Sequence, residues 1–216
     1  MDSMLNFEEV AARKMEHIPT GCTKCGLHES RTNIVWCRPD DPFPWPHCKL
    51  MLIGEGPGER EDIEGRPFVG RSGELLDEAL KQAFPDEYWP GRIYITNMVK
   101  CRPPGNRNPT QKEMETCYPN LQVQYTLQSP ELIVVLGKVA AEFLLQRPVK
   151  ITKEHGNLDF INDGHGDVPV LICYHPAYVL RNQKPEIKQG FFQAIQDARR
   201  IAYGIPNDRI HEGSSR

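Results

Sequence analysis

Residues 50–62 read Leu50-Met51-Leu52-Ile53-Gly54-Glu55-Gly56-Pro57-Gly58-Glu59-Arg60-Glu61-Asp62, and this stretch decides the fold. Four consecutive apolar residues run into three glycines and a proline, the pattern of a buried strand that ends in a sharp turn no helix can occupy. Glu55, Glu61 and Asp62 then fall just beyond the carboxyl end of a central strand, where open α/β sheets form their ligand crevices. Gly56 and Gly58 carry no side chain, which lets something flat or phosphorylated approach the backbone. Taken alone, the stretch also describes a tight β-to-α turn with solvated acids, so the motifs downstream have to decide.

Working outward, Glu74 to Phe84 has Leu75, Leu76, Ala79, Leu80 and Ala83 on one helical face, after an irregular loop Gly65-Arg66-Pro67-Phe68-Val69-Gly70-Arg71-Ser72-Gly73. Arg92 to Asn97 reads as a second strand that brings Asn97 to the same rim as Glu55. The run Lys100 to Pro109 is a basic, irregular loop, and Thr110 with Glu113 three residues on predicts a capped helix start. Glu131 to Leu136 is a third, doubly buried strand, Gly137 to Leu145 a helix, and Val168 to Cys173 a fourth strand. Tyr174 to Asn182 is expected as a loop at the carboxyl edge, and Glu186 to Tyr203 as the closing helix. Four β segments alternating with helices predict an α/β fold, a three-layer α/β/α sandwich with a central four-stranded, mainly parallel sheet.

The 216 residues suit one domain spanning 1–216. Its appendages would be an amphipathic N-terminal helix within residues 1–20, a Pro-rich loop over 37–48 and a frayed tail over 206–216. The loop holds four prolines in twelve positions, which excludes helix and central strand. A hydrophobic content of 39% with 25% charged residues describes a soluble protein. Without a bilayer-length apolar run or a signal-peptide core, a cytoplasmic location is expected. The net charge of −3 gives no global attraction to nucleic acid, so any DNA contact must rest on local basic patches. Seven cysteines are many for a reducing compartment, and an odd number fits closed disulfide pairing poorly. Cys22-Thr23-Lys24-Cys25 is a CxxC open to zinc, redox or iron-sulfur chemistry. Cys37, His47 and Cys48 read first as incidental loop residues and only second as a metal site.

The strand ends bring Glu55, Asn97 and His175 around one crevice with Phe68 beside it. An amide with donor and acceptor, an imidazole and a ring for stacking suit a nucleobase. Four motifs carry a close resemblance: Gly54-Glu55-Gly56-Pro57-Gly58-x-x-Glu61-Asp62, Gly65-x-Pro67-Phe68-Val69-Gly70-x-x-Gly73, Asn97-x-Val99-Lys100-Cys101-Arg102-Pro103-Pro104-x-Asn106-Arg107 and His175-Pro176-Ala177-Tyr178-x-Leu180-Arg181. In these the chain resembles the type-4, iron-sulfur uracil-DNA glycosylases, from about Cys22 to Arg200.

The resemblance implies a monofunctional hydrolase that flips uracil from DNA and cleaves its N-glycosidic bond. It implies Phe68 stacking on the base, Asn97 pairing with its edge, His175 donating to a carbonyl, and Glu55 positioning water. Glu61 and Asn106 would complete the polar network, and the backbone at Gly56 would line the pocket. Lys100, Arg102, Arg107 and Arg181 would meet DNA phosphates, and Tyr178, Val179 and Leu180 would form a wedge that offsets the cost of flipping. Cys22, Cys25, Cys101 and Cys117 would ligate one [4Fe-4S] cluster, the split spacing being unlike that of zinc ribbons. A monomer acting on DNA, with no membrane partner, is implied. Two other readings are a relative excising another base, such as a modified phage cytosine in antiphage defence, and a non-catalytic iron-sulfur DNA-binding module. Two departures from the family pattern stand out: the Pro-rich 37–48 loop, and His155-Gly156-Asn157 where an Arg-Gly pair is commoner.

Overall fold

In the computed structural model, the described residues are 21–38, 48–84, 93–162, 166–182 and 184–205. The expected N-terminal helix, the interior of the Pro-rich loop and the tail lie outside them. β1 (Leu50–Gly54) is the spine that its four apolar residues imply. Every one of its residues is buried, and it pairs in parallel with β2 (Ile93–Asn97) on one side and β3 (Leu132–Leu136) on the other. β3 pairs in parallel with β5 (Asp167–Cys173), and β4 (Leu158–Asn162) adds an antiparallel edge. The order is β2-β1-β3-β5-β4.

Strand side chains alternate between two cores, because period-two alternation with both faces apolar buries both. Leu50, Leu52, Ile95, Val134 and Leu171 face helices α2 (Arg71–Ala83) and α7 (Pro185–Tyr203), meeting Leu76, Leu80, Phe191 and Ile195. Met51, Ile53, Tyr94, Val135 and Ile172 face α3 (Gln111–Gln128) and α4 (Lys138–Leu145), meeting Leu121, Ala141 and Phe143. Each fully buried Leu or Ile contributes about 1.5–3 kcal/mol, so the sandwich is set by these two stripes. Thr110 caps α3 with Glu113 as its reciprocal partner, as the sequence implies.

The sheet has five strands where four were expected. Leu158-Asp-Phe-Ile-Asn carries no continuous apolar run and alternates exposed with half-buried residues, as an edge strand does. The expected loop after β5 is instead helix α6 (Pro176–Arg181), with Pro176 in the N1 position that tolerates a missing N–H. α2 begins at Arg71 rather than Glu74, with Gly70 as its N-cap. The remaining α-helices of the described chain are short, α1 (Glu59–Glu64) and α5 (Ile151–Glu154). Among the described residues no helix is long and apolar enough to cross a membrane.

The segment before β1 is strapped to the sheet. Arg38 exchanges backbone hydrogen bonds with Ile95 at 2.8 and 2.9 Å, and Val35 N donates to Lys100 O at 2.8 Å. The buried Asp62 carboxylate accepts from Thr32 N at 2.9 Å and from Asn33 N at 3.2 Å. Asp62, first read as a crevice acid, is thus a tether for the cysteine-bearing segment.

Candidate active site and a four-thiol pocket

At the carboxyl ends of the parallel strands lies a cavity of about 690 Å³, lined among others by Glu55, Phe68, Gly137, His175, Tyr178 and Arg181. Gly54 and Asn97 pair in register at the ends of β1 and β2. A Cβ on Gly54 would lie 2.7 Å from Phe68 Cζ and would also run into Asn97 Oδ1. The ring and the amide are therefore packed over a glycine floor. Asn97 is 1% exposed, yet neither Oδ1 nor Nδ2 has a hydrogen-bond partner. An unmet buried polar group costs about 1–3 kcal/mol, which marks this amide as one held ready for a ligand.

Phe68 is held in the left-handed region, φ 55°, a conformation costing a residue with a side chain about 1–2 kcal/mol. Three contacts keep it there. Glu61 Oε1 accepts from Phe68 N at 2.6 Å while Oε2 accepts from Gly58 N at 2.5 Å. Arg38 Nη1 donates to Phe68 O at 3.1 Å, and Arg38 is itself ion-paired with Asp77. Gly73, on the first turn of α2, leaves the space the Phe68 carbonyl occupies.

Glu61, expected in the polar network of the pocket, lines the cavity and also clamps the loop. Both of its oxygens hold backbone, and its burial pushes its pKa up against those two hydrogen bonds.

His175 caps α6, its Nδ1 accepting from Ala177 N at 3.1 Å. An N–H aimed at Nδ1 requires Nδ1 to be unprotonated, so the proton sits on Nε2, which is a donor. Burial, with the Arg181 charge adding to it, lowers the imidazole pKa to about 4, so the ring is neutral at neutral pH. Its centroid lies 5.9 Å from that of Phe68. Gly137 makes room for it: its φ is +98°, and a Cβ there would sit 3.0 Å from His175 Cβ. Sequence reasoning passed over Gly137, although a glycine directly after a buried strand was the available signal. Glu55 follows β1 directly, lines the cavity, and has its pKa raised by burial.

Other expected residues sort differently. Asn106 lines the cavity but is exposed at its rim, its Oδ1 accepting from Arg102 Nε at 2.7 Å. Gly56 lies in the wall, pressed on Val99. Arg107 makes a two-pronged contact with Glu113 at 2.7 and 2.8 Å, which holds that carboxyl down at about 2. Lys100 cannot reach a phosphate, because it is 2% exposed inside the protein. Its sequence neighbours are basic and irregular, but its own side chain turns inward to Thr96, Asn97 O and Gln124. Val179 is likewise buried in the core and is no wedge, since the helical turn of α6 sends it inward. Tyr178 and Arg181 line the cavity, Arg181 exposed at its edge, and Leu180 is exposed beside it. His155, the unusual residue, stacks on Tyr174 at 3.7 Å, and Tyr174 in turn meets Tyr178 at 5.2 Å. It therefore backs the cavity wall without lining it.

Cys22, Cys25, Cys101 and Cys117 converge on a second, small pocket with Arg31 and Lys100 in its walls. Arg31 Nη1 donates to Cys22 O at 2.6 Å and to Cys101 Sγ at 3.3 Å. Asn120 Nδ2 lies 3.6 Å from Cys117 Sγ. Burial raises the Cys25 and Cys101 thiols, and each is raised further by the other cysteines of the pocket. Among the described residues no three His, Cys, Asp or Glu side chains close on a single-ion site. Cys37, Cys48 and Cys173 are buried elsewhere, and His47 lies outside the described residues.

A mainly parallel sheet flanked by helices, with a crevice at its strand ends, belongs to the class of α/β proteins that bind ligands at that edge, and its buried ring, unpaired amide and neutral imidazole have the inventory to meet a flat heterocycle. The model of the uracil DNA glycosylase superfamily matches residues 41–199, and the chain belongs to that superfamily. The type-4 uracil-DNA glycosylase of Thermotoga maritima is 39% identical to it over 180 residues, 82% of this chain and 88% of the relative. That of Sulfurisphaera tokodaii is 35% identical over 193 residues, 88% of this chain and 84% of the relative. A type-5 uracil-DNA glycosylase of Thermus thermophilus is 29% identical over 188 residues, 80% of this chain and 84% of the relative.

Proposed function

We propose that this protein is a single-domain, monomeric DNA glycosylase that hydrolyses the bond between uracil and deoxyribose, leaving an abasic site. The observation that carries the reading is the Asn97 amide, buried with both polar atoms unmet beside the Phe68 ring. A uracil edge presents one acceptor and one donor, which such an amide complements.

The reaction needs an enzyme that favours an anionic base and a cationic sugar together. As the C1′–N1 bond breaks, its electron pair leaves with the base, and charge develops on a carbonyl oxygen. His175 lines the same cavity, and the Nε2–H of its neutral ring would donate a hydrogen bond to that oxygen. Glu55 holds the attacking water, whose oxygen bonds C1′ while its proton passes to the carboxylate or to solvent. Among the described residues that line the cavity the lysine is Lys138, which is ion-paired to Glu142 at 3.6 Å. Arg181 and Leu180, both exposed, would meet the duplex.

The four-thiol pocket fits a [4Fe-4S] cluster held by Cys22, Cys25, Cys101 and Cys117. A cubane attaches each thiolate to its own iron, whereas one zinc draws four sulfurs to within about 2.3 Å of one point, and these thiols do not close on a single ion. When bound, the cluster supplies structural ties among the N-terminal segment, the loop after β2 and α3. Base excision requires no redox step from it.

The test is an oligonucleotide panel bearing uracil, hypoxanthine, xanthine or bulky cytosines, treated with alkali after incubation. Cleavage at uracil is expected, and silence on uracil overturns the reading. Tight binding without an alkali-labile product would instead support the non-catalytic module.

A further inference from the structure

Lys100 is as deeply buried as the leucines around it. Its Nζ donates to Thr96 Oγ1 at 2.7 Å, Gln124 Oε1 at 2.6 Å and Asn97 O at 2.5 Å. Thr96 has its own acceptor in Trp36 O, at 2.7 Å, so its hydroxyl can receive from Lys100. The other two oxygens can only accept. Three acceptors around one nitrogen call for three N–H bonds, which only the ammonium has. Among the described residues no carboxylate lies within ion-pair distance of it. A buried cation without an anion is strongly unfavourable.

The missing anion has a place. Lys100 lines the four-thiol pocket together with Cys101 and Cys117, two of the thiols that would meet the cluster as thiolates. Arg31 brings a second cation to the same wall. On its other side the ammonium grips the Asn97 carbonyl, the peptide from which the base-reading amide projects. The rest of that turn is held only by backbone, Met98 N to Gly54 O at 2.9 Å and Val99 N to Glu55 O at 3.3 Å.

We propose that Lys100 is the counter-charge of the thiolate-bound cluster and, through the Asn97 carbonyl, the positioning residue that links the cluster to the base slot. This rests on the cluster and excision readings above. Cluster charge keeps the ammonium in its dry site, and the ammonium fixes the end of β2. The cluster thus acts on base recognition with no electron transferred.

The experiment compares wild type, Lys100→Met and Gln124→Glu, all purified anaerobically, by iron content, cluster midpoint potential and single-turnover excision from a uracil oligonucleotide. Lys100→Met removes the charge at nearly constant length. Its midpoint should move negative, because loss of a nearby cation favours the oxidised cluster. Its excision rate should fall on the order of tenfold to a hundredfold, since small misplacements at a reacting centre have that effect. Gln124→Glu puts a carboxylate beside Nζ, cancelling its field but leaving its grip on Asn97 O, and gives up one donor to Trp36 O. Its midpoint should move negative too, with excision largely kept.

Unchanged midpoints in both variants overturn the counter-charge, and full excision by Lys100→Met overturns the positioning. Should Lys100→Met fail to fold, an unchanged midpoint in Gln124→Glu alone overturns the proposal. Wild-type protein that excises uracil without iron removes the cluster reading and this proposal with it. Wild type that holds iron but leaves uracil in place removes the excision reading, while the midpoints still test the counter-charge.

Discussion

Substitution of Gly73 by alanine tests whether the slot depends on a backbone packed to contact. Gly73 sits in the first turn of α2, and a Cβ there would lie 2.9 Å from Phe68 Cα and deep inside the Phe68 carbonyl. These are backbone atoms that no rotamer change can withdraw, so α2 and the Phe68 loop must separate by more than about 1 Å. Overpacking of this kind costs about 1–3 kcal/mol. At about 2–4 °C per kcal/mol for a chain of this size, Tm should drop by about 2–12 °C. Activity should suffer more than stability. The Phe68 carbonyl and amide are pinned by Arg38 and Glu61, so the displacement passes to the ring, and a shift of that size lowers kcat/KM on the order of a hundredfold. Gly70→Ala in the same motif is the control. Nothing lies within 4 Å of its Cβ and φ is −89°, which leaves only an N-cap change of about 1 kcal/mol. The assay pairs urea unfolding with initial rates on a uracil oligonucleotide. Gly73→Ala protein with wild-type rates and stability, or equal losses in both variants, would refute the packing argument.

Three further outcomes are expected. His175 titrates near 4 when folded and near 6.5 when unfolded, so below pH 6.5 the unfolded chain takes up a proton that the native state refuses. Stability should therefore fall as pH drops from 6.5 towards 4, by about 2 kcal/mol once solvent in the cavity screens part of the shift. Guanidinium unfolding should show the slope in wild type and a shallower one in His175→Asn, because half-buried His155 is also held below its usual pKa. Glu61→Gln keeps one acceptor for two backbone N–H groups, and loss of a charged hydrogen bond offset by relief of a buried charge leaves about 2 kcal/mol of destabilisation. The same variant should raise KM by releasing Phe68, and a wild-type KM would count against the clamp. Arg181→Ala should reduce the slope of log affinity against log salt by about one phosphate contact, while Arg107→Ala, whose guanidinium already serves Glu113, should change it less. Equal slopes for the two would contradict the difference between them.

What could be read from the chain, and what could not, divides along the reach of the interaction. Leu50 to Gly54 and Leu132 to Leu136 are apolar runs bounded by glycine, so strands buried on both faces were legible from local pattern alone. Thr110 and Glu113 named a helix start because a capping box is completed within four residues. β4 escaped because Leu158 to Asn162 is stabilised by pairing with β5 rather than by its own composition. α6 escaped because the helix takes its cap from a residue whose motif suggested only chemistry, His175. In the site, Asn97, Phe68 and His175 could be placed because strand tips converge by topology. The buried task of Lys100 and the clamp made by Glu61 went unread for a shared reason: a charge in a loop motif suggests a solvent or substrate partner. Their partners are backbone, hydroxyl and amide groups brought together by the fold, up to 24 residues away for Gln124.

Helix α1 serves two structures at once. Glu61 looks towards the platform under the base, and its sequence neighbour Asp62 looks towards the strap that carries the first two thiols. Adjacent side chains on an α-helix diverge by about 100°, so one inserted or deleted residue would swing both carboxylates off target at once. This six-residue helix is a gauge block whose length cannot drift, although its surface can.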